Sequence, residues 1–136
     1  MKKFGHLNRD ISRVLARMGH TDGLVIADCG LPVPEGVECI DVSLTLGDPG
    51  FVRVFDSVLA DFQAERIVFA KEALEHNRAV AERASSLELS RARVEFVPHE
   101  SFKKLTHHAR AVIRTGEATA FANAILYSGV IFGSRT

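Results

Sequence analysis

Neither charge sign prevails in this chain: Lys plus Arg number 17 and Asp plus Glu number 17 among 136 residues, a formal net charge of zero with histidine neutral. Without a basic excess there is nothing to grip a phosphate backbone or an anionic membrane surface, so neither nucleic acid nor membrane is expected as a partner. No apolar run reaches the ~18 residues that a membrane-spanning helix requires. The opening MKKFGHLNRD has polar residues where a signal peptide carries its apolar core, and the expectation is a soluble cytoplasmic protein that is not exported. Cysteine is scarce. Cys29 and Cys39 fit no Cys-x-x-Cys zinc or redox pattern and are expected to be reduced packing residues.

Several catalytic signatures are missing as well. No G-x-G-x-x-G follows a strand pattern and no G-x-x-x-x-G-K-[ST] occurs, so dinucleotide and P-loop readings lack their anion cradle. No serine or cysteine sits in a nucleophile motif such as G-x-S-x-G. His107 and His108 are neighbours, and neighbours on a helix point about 100° apart, which denies them a shared metal-ligand face.

What the chain does have is 46% apolar residues, enough for one substantial core at this length and consistent with a single domain over residues 1–136. Ile11, Val14, Leu15 and Met18 recur at helical spacing after Asn8, a good N-cap, with Gly19 placed for a left-handed helix end. Residues 24–27 form a short apolar run that ends at Asp28 and feeds the breaker-rich CGLPVPEGVE, a buried strand opening into a loop. A second strand is expected over 39–44. After GDPG, the spacing of Phe51, Val54, Phe55, Val58, Leu59 and Phe62 predicts an amphipathic helix. A strand over 67–70, a weakly striped helix over 72–87, a strand over 94–97 and a short helix over 100–108 follow. Two further apolar stretches flank TGEATA with no room for a crossover helix, which predicts some antiparallel pairing there. Together these elements predict an α/β fold, a three-layer α/β/α domain with a mixed, mainly parallel sheet.

Ligands of open α/β sheets gather beyond the carboxyl ends of the strands, where Asp28 is expected. His20 precedes the same strand and so starts from its other end. The two are not expected to meet within one subunit, and a shared site would require a neighbouring one. Each has a plain alternative role: His20 hydrogen-bonding the last helix carbonyls, Asp28 capping a turn through its side chain. Asn123, inside an apolar stretch, must find partners for a buried amide, and a purely structural hydrogen bond is its plain alternative.

Four blocks, GHLNRDISRVLARMGHTDGLVIADCGLPVP, IDVSLTLGDPGF, PHESFKKLT and AVIRTGEATAFANAILYSGV, resemble the D-ribose pyranase family within the ribose/fucose mutarotase superfamily. MGHTD, the strand ending in Asp28 before GLPVP, and VIRTGE, in that order, are jointly specific. The resemblance implies an isomerase of carbohydrate metabolism that interconverts the pyranose and furanose forms of D-ribose and supplies a kinase, with no cofactor and no metal. It assigns the proton donor to His20 and sugar contacts to Asp28, His99, Lys103, Phe121, Ala122 and Asn123. Where the family usually carries Tyr this chain has Phe121, so one phenolic hydroxyl is absent. The resemblance further implies a ring-like homo-oligomer, a decamer being the candidate size, with sites at subunit interfaces. The alternatives are a fucose-type mutarotase, which GLPVP and VIRTGE disfavour, and a sugar-binding subunit without turnover.

Overall fold

The computed structural model describes residues 1–87 and 91–132. In chain order the elements are α1 (Arg9–Arg17), β1 (Gly23–Ala27), β2 (Glu38–Asp41), α2 (Phe51–Leu59), β3 (Ala64–Ala70), α3 (Ala73–His76), α4 (Arg78–Ser86), β4 (Arg93–Val97), α5 (His99–Leu105) with a 3₁₀ turn at Thr106–His108, β5 (Ala111–Arg114) and β6 (Ala124–Ser128). The strands form one sheet in the order β2-β5-β1-β6-β3-β4. β1 pairs in parallel with β5, β5 with β2, and β3 with β4, while β6 runs antiparallel to both β1 and β3. The single reversal follows from the link between β5 and β6: residues 115–123 hold no helix, and a parallel return needs a longer crossover.

β1 is buried along its whole length, as a strand covered on both faces must be. Its side chains alternate between two cores. Leu24 and Ile26 join Ile67, Phe69, Ile113 and Leu126 beneath α1, α2 and α4, where Phe51 and Phe55 are fully buried. Val25 and Ala27 join Val68, Val112 and Ile125 on the opposite face, covered by Phe102 of α5 and Leu31 of the loop after β1. These two cores, one on each face of the sheet, make the three layers expected from the sequence.

Local differences from the sequence reading have physical reasons. The helix expected over 72–87 is two helices, because Asn77 leaves helical geometry (φ −139°, ψ 91°). Its Oδ1 accepts from the Val80 N–H at 3.2 Å and its Nδ2 donates to the Ala120 carbonyl at 2.9 Å, a capping role that competes with continuing the helix. Asn8 does cap α1, accepting from the Asp10 and Ile11 N–H groups at 3.0 Å each. The left-handed residue beyond that helix, however, is Thr21 (φ +71°), not Gly19. The strand expected over 39–44 closes at Asp41, whose carboxylate accepts from the Ser43 N–H at 2.9 Å and turns the chain. Of the two cysteines, Cys29 is half-buried and Cys39 exposed, so Cys39 is not a packing residue. Among the described residues no helix is long and apolar enough to cross a membrane.

Candidate active site at the strand ends

Five parallel strands place their carboxyl ends along one edge of the sheet, and the antiparallel β6 brings its amino end to the same edge. Asp28 follows β1, Glu72 lies just beyond β3, His99 begins α5 after β4, Thr115 to Glu117 follow β5, and Phe121 to Asn123 lead into β6. A cleft of ≈ 290 Å³ opens there, lined by Asp28, Cys29, Gly30, Leu31, His99 and residues 117–121.

Asp28 and Asn123 form a two-point pair. Asn123, fully buried, accepts from the Asp28 N–H through Oδ1 at 2.9 Å and donates through Nδ2 to Asp28 Oδ2 at 3.1 Å. The buried amide thus finds its partners in the other candidate residue. Asp28 Oδ1 accepts from the Gly30 N–H at 3.0 Å, which is the turn-capping role considered above. Each carboxylate oxygen has two acceptor directions, so one remains on each for a ligand hydroxyl.

His99 is held from behind. Both oxygens of Glu72 accept its backbone N–H at 3.0 Å. Its ring meets the edge of Phe121 at 5.2 Å between centroids and lies 6.4 Å from Phe102. Its Nδ1 is buried with no hydrogen-bond partner among the described residues. Phe121 has a positive φ of 65°, a costly conformation for a bulky residue, and its ring packs between His99 and His76 (5.8 Å). Ala122 is fully buried in the α2-side core, so only its backbone is available to the cleft. Lys103 extends along α5 to pair with Glu100 at 2.8 Å and is not among the cleft-lining residues.

Glu117, which the sequence reading did not single out although it ends VIRTGE, lines the cleft and ties it to α2. Its Oε1 accepts from the Phe51 N–H at 2.9 Å and its Oε2 from the Thr119 N–H at 3.2 Å, supplying a helix start whose own N-cap, Gly50, has no side chain to offer. Burial alone would lift this carboxyl, but the bonds from Phe51, Thr119 and the Ala118 N–H outweigh burial and hold it below the usual range. Thr115 Oγ1 donates to the Ala27 carbonyl at 2.7 Å and accepts from the Glu117 N–H at 3.1 Å. Glu72 was likewise passed over, although its place just after β3 was the positional clue.

His20 lies elsewhere. It precedes β1, whose five residues span about 17 Å at ~3.3 Å each, while Asp28 follows that strand. Instead of the helix carbonyls, its Nε2 meets Glu65 Oε2 at 2.9 Å, at the start of β3. A second cleft of ≈ 330 Å³ at that end is lined by Thr21, Asp22, Glu35, His107, His108 and Arg110 among others, and includes none of the expected sugar contacts. Arg110 and Asp22 in its wall pair with each other at 3.2 Å.

The architecture is shared with known proteins. The chain is 64% identical to a D-ribose pyranase of Chromobacterium violaceum over 132 residues, covering 97% of this chain and 100% of that protein. The structure of Bacillus subtilis RbsD complexed with D-ribose superposes with a TM-score of 0.93 at 45% identity, over 97% of this chain and 100% of the other. The fucose mutarotase of Streptococcus pneumoniae in complex with L-fucose shares the fold, with a TM-score of 0.74 at 21% identity over 91% and 94% of the two chains. The family model described as the RbsD / FucU transport protein family matches residues 1–131. With sequence and overall fold in agreement across nearly the whole chain, this protein belongs to the RbsD / FucU family.

Proposed function

We propose that this chain, acting as a single domain, is an isomerase of the D-ribose pyranase type that interconverts the pyranose and furanose forms of D-ribose and so supplies a sugar kinase. The observation that carries the reading is the convergence of Asp28, His99, Phe121 and Asn123 on one edge of the sheet, in a chain similar over 97% of its length to D-ribose pyranases. Ribose sits in the cleft. The free acceptor directions of Asp28 take its hydroxyl protons, the unpartnered His99 Nδ1 gains a partner, and the Phe121 ring covers an apolar ring face. Asn123 acts mainly by holding Asp28, Ala122 through its backbone, and Lys103 by turning from Glu100 to the sugar.

Ring exchange removes a proton from the anomeric hydroxyl and breaks the bond from C1 to the ring oxygen, whose electron pair stays on that oxygen. A proton must arrive there, and closure through a different hydroxyl reverses the steps. His20 is the proton carrier in this reading, since an imidazole has both protonation states accessible near neutrality. General acid–base assistance of about 10²–10⁴-fold, added to the positioning of the open chain, suffices for a reaction that already proceeds in water. Because His20 and Asp28 flank β1 at opposite ends, a second copy of the chain brings His20 to the cleft. This reading makes the working form a cytoplasmic ring-like homo-oligomer, for which a decamer is the candidate size.

Saturation transfer between the anomeric proton signals of ribose tests this directly. The purified protein should accelerate pyranose–furanose exchange, and His20→Ala should abolish most of the acceleration while leaving the fold intact. Ribose binding without faster exchange in the unaltered protein would select a binding subunit instead, and full exchange by His20→Ala would remove His20 from the reaction.

A further inference from the structure

The turn that carries His20 is fixed from several sides. Asp22 Oδ2 accepts from the Gly19 N–H at 2.8 Å, and Asp22 Oδ1 faces Arg110 at 3.2 Å. The Thr21 N–H donates to the Ser128 carbonyl and the Ser128 N–H to the Asp22 carbonyl, both at 2.8 Å. Within this frame Thr21 holds a φ of +71°, a region that β-branched residues avoid. Strain of this kind persists only where the surroundings over-determine it, and it gathers at functional sites. Among the described residues only Thr21 and Phe121 combine a side chain with positive φ: one adjoins His20, the other lines the cleft.

The turn sets the imidazole against Glu65, with Nε2 and Oε2 2.9 Å apart. Both side chains remain about half exposed, 52% and 45%, and pairs that exposed contribute little to stability. The approach is nonetheless accommodated: a Cβ at Gly129 would lie 3.1 Å from Glu65 Cβ, so a residue without a side chain stands where Glu65 meets the end of β6.

We propose that Glu65 is a positioning residue that holds His20 as its Nε2–H tautomer. A carboxylate oxygen only accepts, so Nε2 is the donor, and in the neutral ring Nδ1 is left as the acceptor. Nδ1 is then the atom presented to the sugar. It takes the anomeric hydroxyl proton. The bond from C1 to the ring oxygen breaks with its electron pair on that oxygen, and Nδ1–H delivers the proton there, leaving the aldehyde at C1. Both oxygens sit on the same carbon, so one nitrogen serves both transfers and the base is the same imidazole as the acid. Glu65 stabilises the imidazolium that exists between them, the role that a carboxylate partner has for other catalytic histidines. This inference rests on the reading of His20 as the proton carrier.

Two measurements test it. Imidazole ¹⁵N NMR of the unaltered protein should show neutral His20 protonated at Nε2; protonation at Nδ1 would overturn the proposal. In ribose saturation transfer over a range of ribose concentrations, Glu65→Ala should lower the maximal exchange rate about tenfold or more with KM little changed. Glu65→Gln, whose amide oxygen still accepts from Nε2, should recover much of that loss. A Glu65→Ala protein with the wild-type maximal rate, or with its defect confined to KM, would overturn the role of Glu65 while leaving His20 in place, provided His20→Ala is inactive. Full exchange by His20→Ala would instead fail the underlying reading.

Discussion

Asn123→Asp is a near-isosteric change with a large electrostatic consequence. In the native pair Oδ1 accepts from the Asp28 N–H and Nδ2 donates to Asp28 Oδ2 at 3.1 Å. The substitution keeps the first bond and sets an oxygen against an oxygen in the second. Two unit charges 3.1 Å apart repel by about 5 kcal/mol at an effective dielectric of ~20, and the only relief is for the pair to keep one proton. Keeping it costs about 1.4 kcal/mol for each pH unit above the ordinary carboxyl value near 3.9. One folded-state pKa of the pair is therefore raised above its unfolded value, so stability is retained below about pH 4 and lost as pH rises through the raised pKa. The expected deficit against the unaltered protein is about 5 kcal/mol at pH 8, where the repulsion limits it, and falls at about 1.4 kcal/mol per unit to about 1.5 kcal/mol at pH 5. Urea unfolding midpoints at a series of pH values give the slope, and ribose titration should weaken in parallel as Asp28 loses its holder. A deficit equal at pH 5 and pH 8 would refute the facing geometry.

Glu117→Ala removes the acceptor for the Phe51 N–H at the start of α2 and should cost about 1–2 kcal/mol in urea unfolding. Because the folded Glu117 carboxyl lies below its ordinary range, its contribution is full above about pH 4.3 and is lost as pH falls through the depressed value. Glu117→Gln should accordingly flatten the acid limb of the stability curve, and an unchanged limb would show that other carboxylates set it. Gly116→Ala would drive a Cβ into the Asp48 carbonyl and to 2.6 Å from the Thr45 carbonyl. Backbone there must move, at a cost of about 1–3 kcal/mol, and the displaced Glu117 should weaken ribose binding as well; a melting temperature within a degree of the parent would contradict this packing.

The sheet was legible because its physics is local. The short apolar run before Asp28, followed by breakers, reads as a strand covered on both faces, and the short link around TGEATA favours the reversal that β6 shows. The buried amide of Asn123 announced that it needed partners, and the fold supplied them in Asp28. The break at Asn77 was hidden because the partner that anchors its side-chain amide, the Ala120 carbonyl, lies 43 positions away, beyond any helix periodicity. Thr21 escaped for a related reason: the helix-end rule favours glycine at positive φ, whereas this turn is imposed by Ser128 of β6 and by Arg110, just before β5, both distant in sequence. Glu65, Glu72 and Glu117 are ordinary charged residues in sequence, and only tertiary placement gives them His20, the His99 N–H and the Phe51 N–H as partners.

In the proposed mechanism one copy's His20 works on sugar held by another copy's Asp28. Mixing two inactive variants, His20→Ala and Asp28→Asn, tests it. After joint unfolding and refolding in a one-to-one mixture, about one site in four should combine an intact His20 with an intact Asp28 across the boundary between copies, and ribose exchange should return although neither variant alone supports it. Co-assembly of the two variants with no recovery of exchange would contradict the account.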